Sequence, residues 1–233
     1  MKLLAVETST EACSVALFID GEVQECFELA PKTHTKLILP MIDALMASAE
    51  LKPQQLDALA FSRGPGSFTG VRIATGVIQG IAFGADLPVV PVSTLAALAQ
   101  DFFMRSAITV AYTAMDARIS EIFWGVYQYN SEGFAELVGE EAVTPPADVN
   151  IPAVSGAGIG SGWSVYHGIL MAKLQAQVLH VDADCLPHAA AIARLGVYGF
   201  GLGQAVAAEH AMPVYLRDKV AKTEAERHTA KSA

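Results

Sequence analysis

The residue types that most often carry hydrolytic or metal chemistry lack the spacing that such chemistry needs. The six histidines are His34, His167, His180, His188, His210 and His228. No two of them are four residues apart, so no helix presents the His-x-x-x-His pair that grips a metal ion. No serine lies in a Gly-x-Ser-x-Gly nucleophile motif, and neither a Walker A segment nor a Cys-x-x-Cys pair occurs. The sequence therefore predicts no catalytic and no metal-binding residues.

Two short segments have the composition of phosphate-binding loops. The first follows the opening apolar run and consists of Glu7, Thr8, Ser9 and Thr10. Its hydroxyl and backbone N–H groups could face a phosphate. In the second segment, 156–162, Gly158 and Gly160 would let a nucleotide approach the backbone closely. An ordinary hairpin turn and an ordinary flexible loop explain the same residues, so both interpretations of each segment stay open.

A helix predicted from Thr69 to Gly84 carries three glycines in one row. Gly76, Gly80 and Gly84 recur every four residues and so follow one line along the helix surface. Each glycine weakens a helix by about 1 kcal/mol relative to alanine, and close approach of another helix would offset that cost. Packing within this chain and contact with a second protein both fit this pattern.

The protein-contact interpretation assigns residues on two predicted helices, the glycine-bearing helix over 69–84 and a helix over 34–48 beside it. The predicted contact residues are Leu37, Met41, Arg72, Ile73, Gly76, Val77 and Gly80. Which face of the glycine-bearing helix meets the partner, and which meets its own sheet, is open at the level of sequence.

Asp116 and Arg118 lie at a predicted hairpin corner between two strands. They could be catalytic, but a structural ion pair or a carboxylate-capped turn explains them as well. The second interpretation is favoured because the sequence places no other acid or base beside them.

The elements that position these segments begin with a three-strand meander over 3–6, 13–19 and 22–29. Asp20-Gly21 supplies the two-residue turn of a type I′ hairpin. Helices and strands then alternate. The second half repeats the pattern, with a polar, proline-containing surface excursion over 132–150, a helix over 163–174 and a helix over 186–209, broken near 199–201. This order predicts an α/β protein with mixed sheets covered by helices. We expect lobes at 1–105 and 106–217, followed by a frayed polar tail at 218–233.

The composition excludes several classes of protein. The 233 residues are 52% hydrophobic and 17% charged, which is unlike a disordered chain, and three cysteines are too few for a disulfide scaffold. The net charge of −9 is unfavourable for direct binding to a nucleic-acid backbone. No signal-peptide core and no stretch of about 20 apolar residues is visible, so we expect a cytoplasmic protein without a membrane partner.

Several segments together resemble the TsaB family, also called YeaZ. Residues 5–16 read A-V-E-T-S-T-E-A-C-S-V-A, and residues 63–73 read R-G-P-G-S-F-T-G-V-R-I. The segments V-S-T-L at 92–95, D-A-R at 116–118 and P-V-Y-L-R at 213–217 follow in the expected order. The resemblance runs from about residue 1 to 221, and the R-G-P-G-S-F-T-G-V-R block is its most specific part.

The resemblance implies a fold of the actin, sugar-kinase and Hsp70 ATPase type with two related lobes. It also implies a non-catalytic subunit for making N6-threonylcarbamoyladenosine at position 37 of tRNAs that read ANN codons. The implied partners are a catalytic paralogue like TsaD and an ATPase like TsaE, with a homodimer when the partner is absent and tRNA reached only through the complex. No cofactor is implied for this chain alone, whereas ATP or ADP could act at the assembled complex.

Two other functions stay open beside that one. The first is an ATP-dependent small-molecule kinase of the same fold, which Glu7 in place of an aspartate and the side chain of Arg118 disfavour. The second is a glycoprotease-like peptidase, which the missing histidine pair and nucleophile motif disfavour. Turnover of ATP by the isolated chain would separate the kinase from the accessory subunit.

Overall fold

The computed structural model describes residues 1–217, so the polar tail predicted for 218–233 lies outside the described residues. The first sheet comprises β1 (Lys2–Glu7), β2 (Ala12–Ile19), β3 (Glu22–Leu29), β4 (Ala58–Gly64) and β5 (Val89–Ser93). Its strand order is β3-β2-β1-β4-β5, with β1, β2 and β3 antiparallel and β1, β4 and β5 parallel. The predicted meander is confirmed, and Asp20 and Gly21 both have the positive φ that its turn requires.

The second sheet comprises β6 (Val110–Arg118), β7 (Glu121–Tyr129), β8 (Ala135–Leu137), β9 (Ala142–Thr144), β10 (Gly156–Ile159) and β11 (Val178–Asp182). The order along it is β11-β10-β6-β7-β8, and β9 also pairs with β7. The polar excursion over 132–150 lies at the surface, and it also contributes two short strands because it folds back onto β7. The predicted position of the hairpin corner is wrong, because the turn lies at Ile119 and Ser120, after Asp116 and Arg118.

Six helices cover the sheets within residues 1–217. They are α1 (His34–Ser48), α2 (Phe68–Ala85), α3 (Thr94–Met104), α4 (Ser161–Val165), α5 (His167–Leu174) and α6 (Ala189–Gly201). The single helix predicted over 163–174 is therefore two helices, and the last predicted helix ends at Gly201, where the break was expected. Helix α2 is long and apolar enough by length and composition to cross a membrane, but its buried face packs on the first sheet.

The cores show how the layers are arranged. Leu4 and Val6 of β1 face α1 and α2, whereas Leu3 and Ala5 of the same strand face the opposite side. That opposite side is one continuous core, in which α3 and α6 lie between the two sheets. The outer face of the second sheet packs on α4 and α5. Helix α6 follows the second sheet in the chain but packs on the first sheet, a return that the order of the elements does not indicate. The lobe limits at 1–105 and 106–217 stay a prediction.

Candidate functional site

The predicted first phosphate loop is closed by the N-terminal end of α2. Glu7 and Thr8 are fully buried and Ser9 is 1% exposed. The Thr8 hydroxyl donates a hydrogen bond to the carbonyl of Gly70 at 2.7 Å, and the Ser67 N–H donates to the carbonyl of Ser9 at 2.7 Å. The turn thus faces its own chain, and a nucleotide role for Glu7, Thr8, Ser9 and the half-buried Thr10 is a prediction that this conformation does not accommodate.

Two glycines make this closure possible. A Cβ on Gly66 would lie 2.6 Å from the carbonyl oxygen of Ser9, and a Cβ on Gly70 would lie 2.0 Å from that of Thr8. Real Cβ atoms do not approach backbone oxygens so closely, so only glycine allows α2 to begin against the turn. Ser67 caps the helix by accepting a hydrogen bond from the N–H of Gly70.

Glu7 is a carboxyl group in an almost water-free site. Burial raises its pKa to about 7, although the hydrogen bond from the backbone N–H of Ser9 opposes the shift. Its Oε1 accepts the Ser9 N–H, while Oε2 and the hydroxyls of Ser9 and Ser62 are buried without a hydrogen-bond partner. A pKa of about 7 places the titration of this carboxyl, at the end of β1, near neutral pH.

The predicted glycine loop over 156–162 is wrong, because its first half is strand β10. The indole of Trp163 occupies the space beside Gly158, where a Cβ would lie 2.3 Å from a ring carbon. Gly160 has φ +95°, and a Cβ there would lie 2.7 Å from the carbonyl of Ala114. Close packing within the second lobe thus accounts for both glycines, and a nucleotide role for them stays a prediction.

Asp116 and Arg118 form the ion pair that was the alternative to catalysis. The Arg118 guanidinium lies 2.9 Å from the Asp116 carboxylate, which also accepts the backbone N–H of Arg118 at 2.9 Å. The carboxylate is thus occupied by its own turn. Within residues 1–217, no three His, Cys, Asp or Glu side chains gather where they could hold a metal ion.

The outward face of α2 contrasts with these closed sites. A Cβ on Gly76, Gly80 or Gly84 would meet nothing within 4 Å, so the glycine row faces open space. Phe83 lies beside the row and is 85% exposed. The packing explanation for the row is therefore wrong within residues 1–217, because no described part of the chain covers it.

The other predicted contact residues have mixed positions. Arg72 is exposed on the same face as the glycines. Ile73 and Val77 are half-buried and, like Leu37 and Met41, pack against the core under α1 and α2. The structure thus places the seven predicted residues in one region of the surface, with the glycines outermost.

A buried polar network between the two sheets was not predicted. The hydroxyls of Ser93 and Tyr127 both donate to Glu141, whose other carboxylate oxygen lies 3.8 Å from the Arg63 guanidinium. Burial raises the pKa of Tyr127 well above its usual range, which keeps it a donor. The four residues of this network are far apart in the sequence. The polar composition of the 132–150 segment gives no sign that the side chain of Glu141 is buried.

Two mixed sheets that enclose a shared helical layer, each with helices on its outer face, define an α/β protein of the actin, sugar-kinase and Hsp70 ATPase type. The family model that matches residues 27–225 is described as TsaD, tRNA N6-adenosine threonylcarbamoyltransferase. The solved structure of YeaZ from Pseudomonas aeruginosa superposes with a TM-score of 0.85 at 42% identity, covering 92% of this chain and 99% of that one.

Curated relatives agree with that likeness. The tRNA threonylcarbamoyladenosine biosynthesis protein TsaB of Escherichia coli strain K12 is 41% identical, over 95% of this chain and 96% of the relative. Its counterpart in Haemophilus influenzae is 39% identical, over 94% and 95% respectively. The chain belongs to the TsaB family.

Proposed function

We propose that this chain acts in tRNA threonylcarbamoyladenosine biosynthesis as a non-catalytic subunit. In this proposal it binds a catalytic paralogue like TsaD, an ATPase like TsaE joins the pair, and tRNA is held by the complex. Relatives that match almost the whole chain are named as biosynthesis proteins for this modification. The net charge of −9 supports a role in which other subunits contact the nucleic acid.

The observation that carries the proposal is the uncovered glycine row of α2. Three glycines on one helix cost stability unless something packs closely against them, and no described residue does. Half-buried Ile73 and Val77 beside the row offer apolar area to a neighbouring helix. Because paralogues of one fold would present similar helices, the same face would support a homodimer when the partner is absent.

The closed turn at Glu7 weighs against the kinase alternative. A kinase needs its first phosphate loop open to nucleotide, and here the turn is filled by the start of α2. We therefore assign no cofactor requirement to the chain itself and place ATP or ADP at the assembled complex. We place that complex in the cytoplasm, where tRNA is modified.

The proposal is tested by co-purification with a TsaD-like protein, titration calorimetry and nucleoside analysis of the tRNA. Gly80→Glu adds a charge where a Cβ meets open space, so the fold should persist while affinity for the partner falls at least tenfold. Gly168→Glu is the matched control, because Gly168 is equally open but lies on α5 of the second sheet.

Three results would count against the proposal. Wild-type chain that does not bind the TsaD-like protein would exclude the subunit role. Equal binding by both variants would place the interface elsewhere. ATP turnover by the isolated chain, lost on substitution of one of its own residues, would favour the kinase.

A further inference from the structure

A cavity of about 450 Å³ opens at the N-terminal end of α2. Helix α2 contributes Phe68, Val71 and Arg72, and Phe123 reaches in from the second sheet. Pro65 and Gly66 before the helix, and residues 214–217 of the closing segment 213–217, complete the wall. The cavity thus joins three separate parts of the chain, and Phe123 of the second sheet meets the start of α2 there.

The closing segment is held firmly in place. The Val214 N–H donates a hydrogen bond to the Arg63 carbonyl at 2.7 Å, and a Cβ on Gly64 would lie 2.9 Å from the Val214 carbonyl. The Nε of Arg217 donates to Glu121 of β7 at 3.1 Å. This wall therefore exists before any ligand arrives, which lowers the entropic cost of binding.

The two arginines of the cavity differ in what they have left to bind. Arg217 is paired with Glu121. Arg72 has no carboxylate within salt-bridge distance among residues 1–217; its guanidinium lies 3.2 Å from the ring centroid of Phe68 and 5.1 Å from that of Tyr215. Its Nη1 donates to the carbonyl of Phe68 at 3.4 Å. Contact with two rings holds the planar cation in place, and the rest of its N–H edge stays available to an anion.

The cavity continues the glycine row. Phe68 and Arg72 precede Gly76 and Gly80 at the same four-residue spacing, so all lie on one line of α2 that is about 24 Å long to Gly84. Phe68 is 64% exposed and Tyr215 is 44% exposed. Exposed aromatic rings at the mouth of a cavity are typical of an interaction site. A segment lying along the glycines would reach the cavity directly.

We propose that this cavity receives an anchor from the same protein partner that the glycine row binds, so the inference rests on the proposed function. The anchor is an apolar side chain in the cavity beside a carboxylate on Arg72. Because Phe123 of β7 lies in the wall beside the start of α2, a seated anchor would contact the second sheet and the helix that covers the first sheet.

The test measures affinity for the TsaD-like partner by calorimetry at 50 and 300 mM salt. Arg72→Met keeps the stem and removes the charge, and should lower affinity at least tenfold at low salt and flatten its salt dependence. Tyr215→Ser should lower affinity about fivefold without changing the salt dependence. Lys173→Met removes a cation from α5 and should leave both unchanged. Melting temperatures near wild type verify the fold of each variant.

The outcomes separate this inference from the proposed function. Loss of binding in Gly80→Glu with near wild-type binding in Arg72→Met and Tyr215→Ser would overturn the anchor and leave the function standing. Reduced affinity of Arg72→Met with unchanged salt dependence would overturn the carboxylate. Self-association of the wild-type chain that Arg72→Met abolishes would make a second copy the occupant. Stabilisation of the fold by inorganic phosphate that depends on Arg72, with partner binding intact, would make the occupant a small anion. Failure of the wild-type chain to bind the TsaD-like partner would overturn both proposals.

Discussion

Glycines at the start of α2 and glycines further along the same helix lie in opposite environments. Gly70 touches the turn after β1 so closely that a Cβ would lie 2.0 Å from a backbone oxygen. Gly76, Gly80 and Gly84 have nothing within 4 Å of the same position. One helix therefore uses glycine in two ways: its start packs against its own chain, and its outer face is left open.

This difference distinguishes a glycine whose cost is offset within the chain from glycines whose cost is not. Each glycine costs a helix about 1 kcal/mol relative to alanine. At Gly70 the gain that offsets the cost is visible inside the chain, in the hydrogen bond from Thr8 and the cap from Ser67. At Gly76 and Gly80 no gain is visible within residues 1–217, which is the reason for proposing a partner there.

Gly70→Ala should have the largest effect on stability. Because the added methyl group would collide with the backbone of Thr8, either the turn or the first turn of α2 must move, at a cost of about 3 kcal/mol or more. Urea denaturation should show the lowered free energy of unfolding. Gly76→Ala on the same helix is the matched control and should not destabilise. A Gly70→Ala protein as stable as wild type would show that the turn is loosely packed and would remove the contrast.

The sequence was most informative where structure is local. Asp20-Gly21 predicts its hairpin because only positive φ values fit that turn, and the four-residue spacing of Gly76 and Gly80 defines their row without knowledge of the fold. The role of Gly158 was not predictable, because the ring that fills the space beside it belongs to Trp163 of the following helix.

Long-range contacts account for the other differences. The return of α6 to the first sheet, and the contact of Glu141 with Ser93, join residues far apart in sequence. The cavity at Arg72 was missed for the same reason. Two of its three parts coincide with the R-G-P-G-S-F and P-V-Y-L-R segments, which lie about 150 residues apart, and nothing in the sequence indicates that they touch.

Glu7→Gln tests how completely water is excluded from the turn after β1 that the start of α2 closes. A carboxyl with pKa about 7 in the folded protein and about 4.5 unfolded binds its proton more tightly when folded. The stability it contributes is therefore complete below about pH 4.5 and is lost as pH rises through 7, a loss of up to about 3 kcal/mol. Gln stays neutral, and its amide can donate to the unpartnered hydroxyls of Ser9 and Ser62, so the variant should be the more stable protein at pH 8.

Unfolding free energies at pH 5, 6, 7 and 8 check this expectation. The wild type should lose stability across the series, and Glu7→Gln should lose much less. A residual slope is expected from His188, because its hydrogen bond with Glu25 raises its pKa and that contribution also fades as pH rises. Glu28→Gln, an exposed change on β3, should follow the wild type. Parallel wild-type and Glu7→Gln curves would mean that water reaches the carboxyl.

The smallest effect is expected at the open row, and it has the opposite sign. Gly76→Ala and Gly80→Ala each place a methyl group in open space on a helix, so each should raise the free energy of unfolding by about 1 kcal/mol. The same methyl groups should weaken binding to a TsaD-like partner, because they hold the two helices apart. Gly168→Ala on α5 should also leave the fold intact but should not change affinity. Denaturation and calorimetry on the three variants compare both quantities directly. A variant that gains stability and keeps full affinity would show that no partner helix approaches the row, whereas loss of stability at Gly76 or Gly80 would mean that the chain itself covers it.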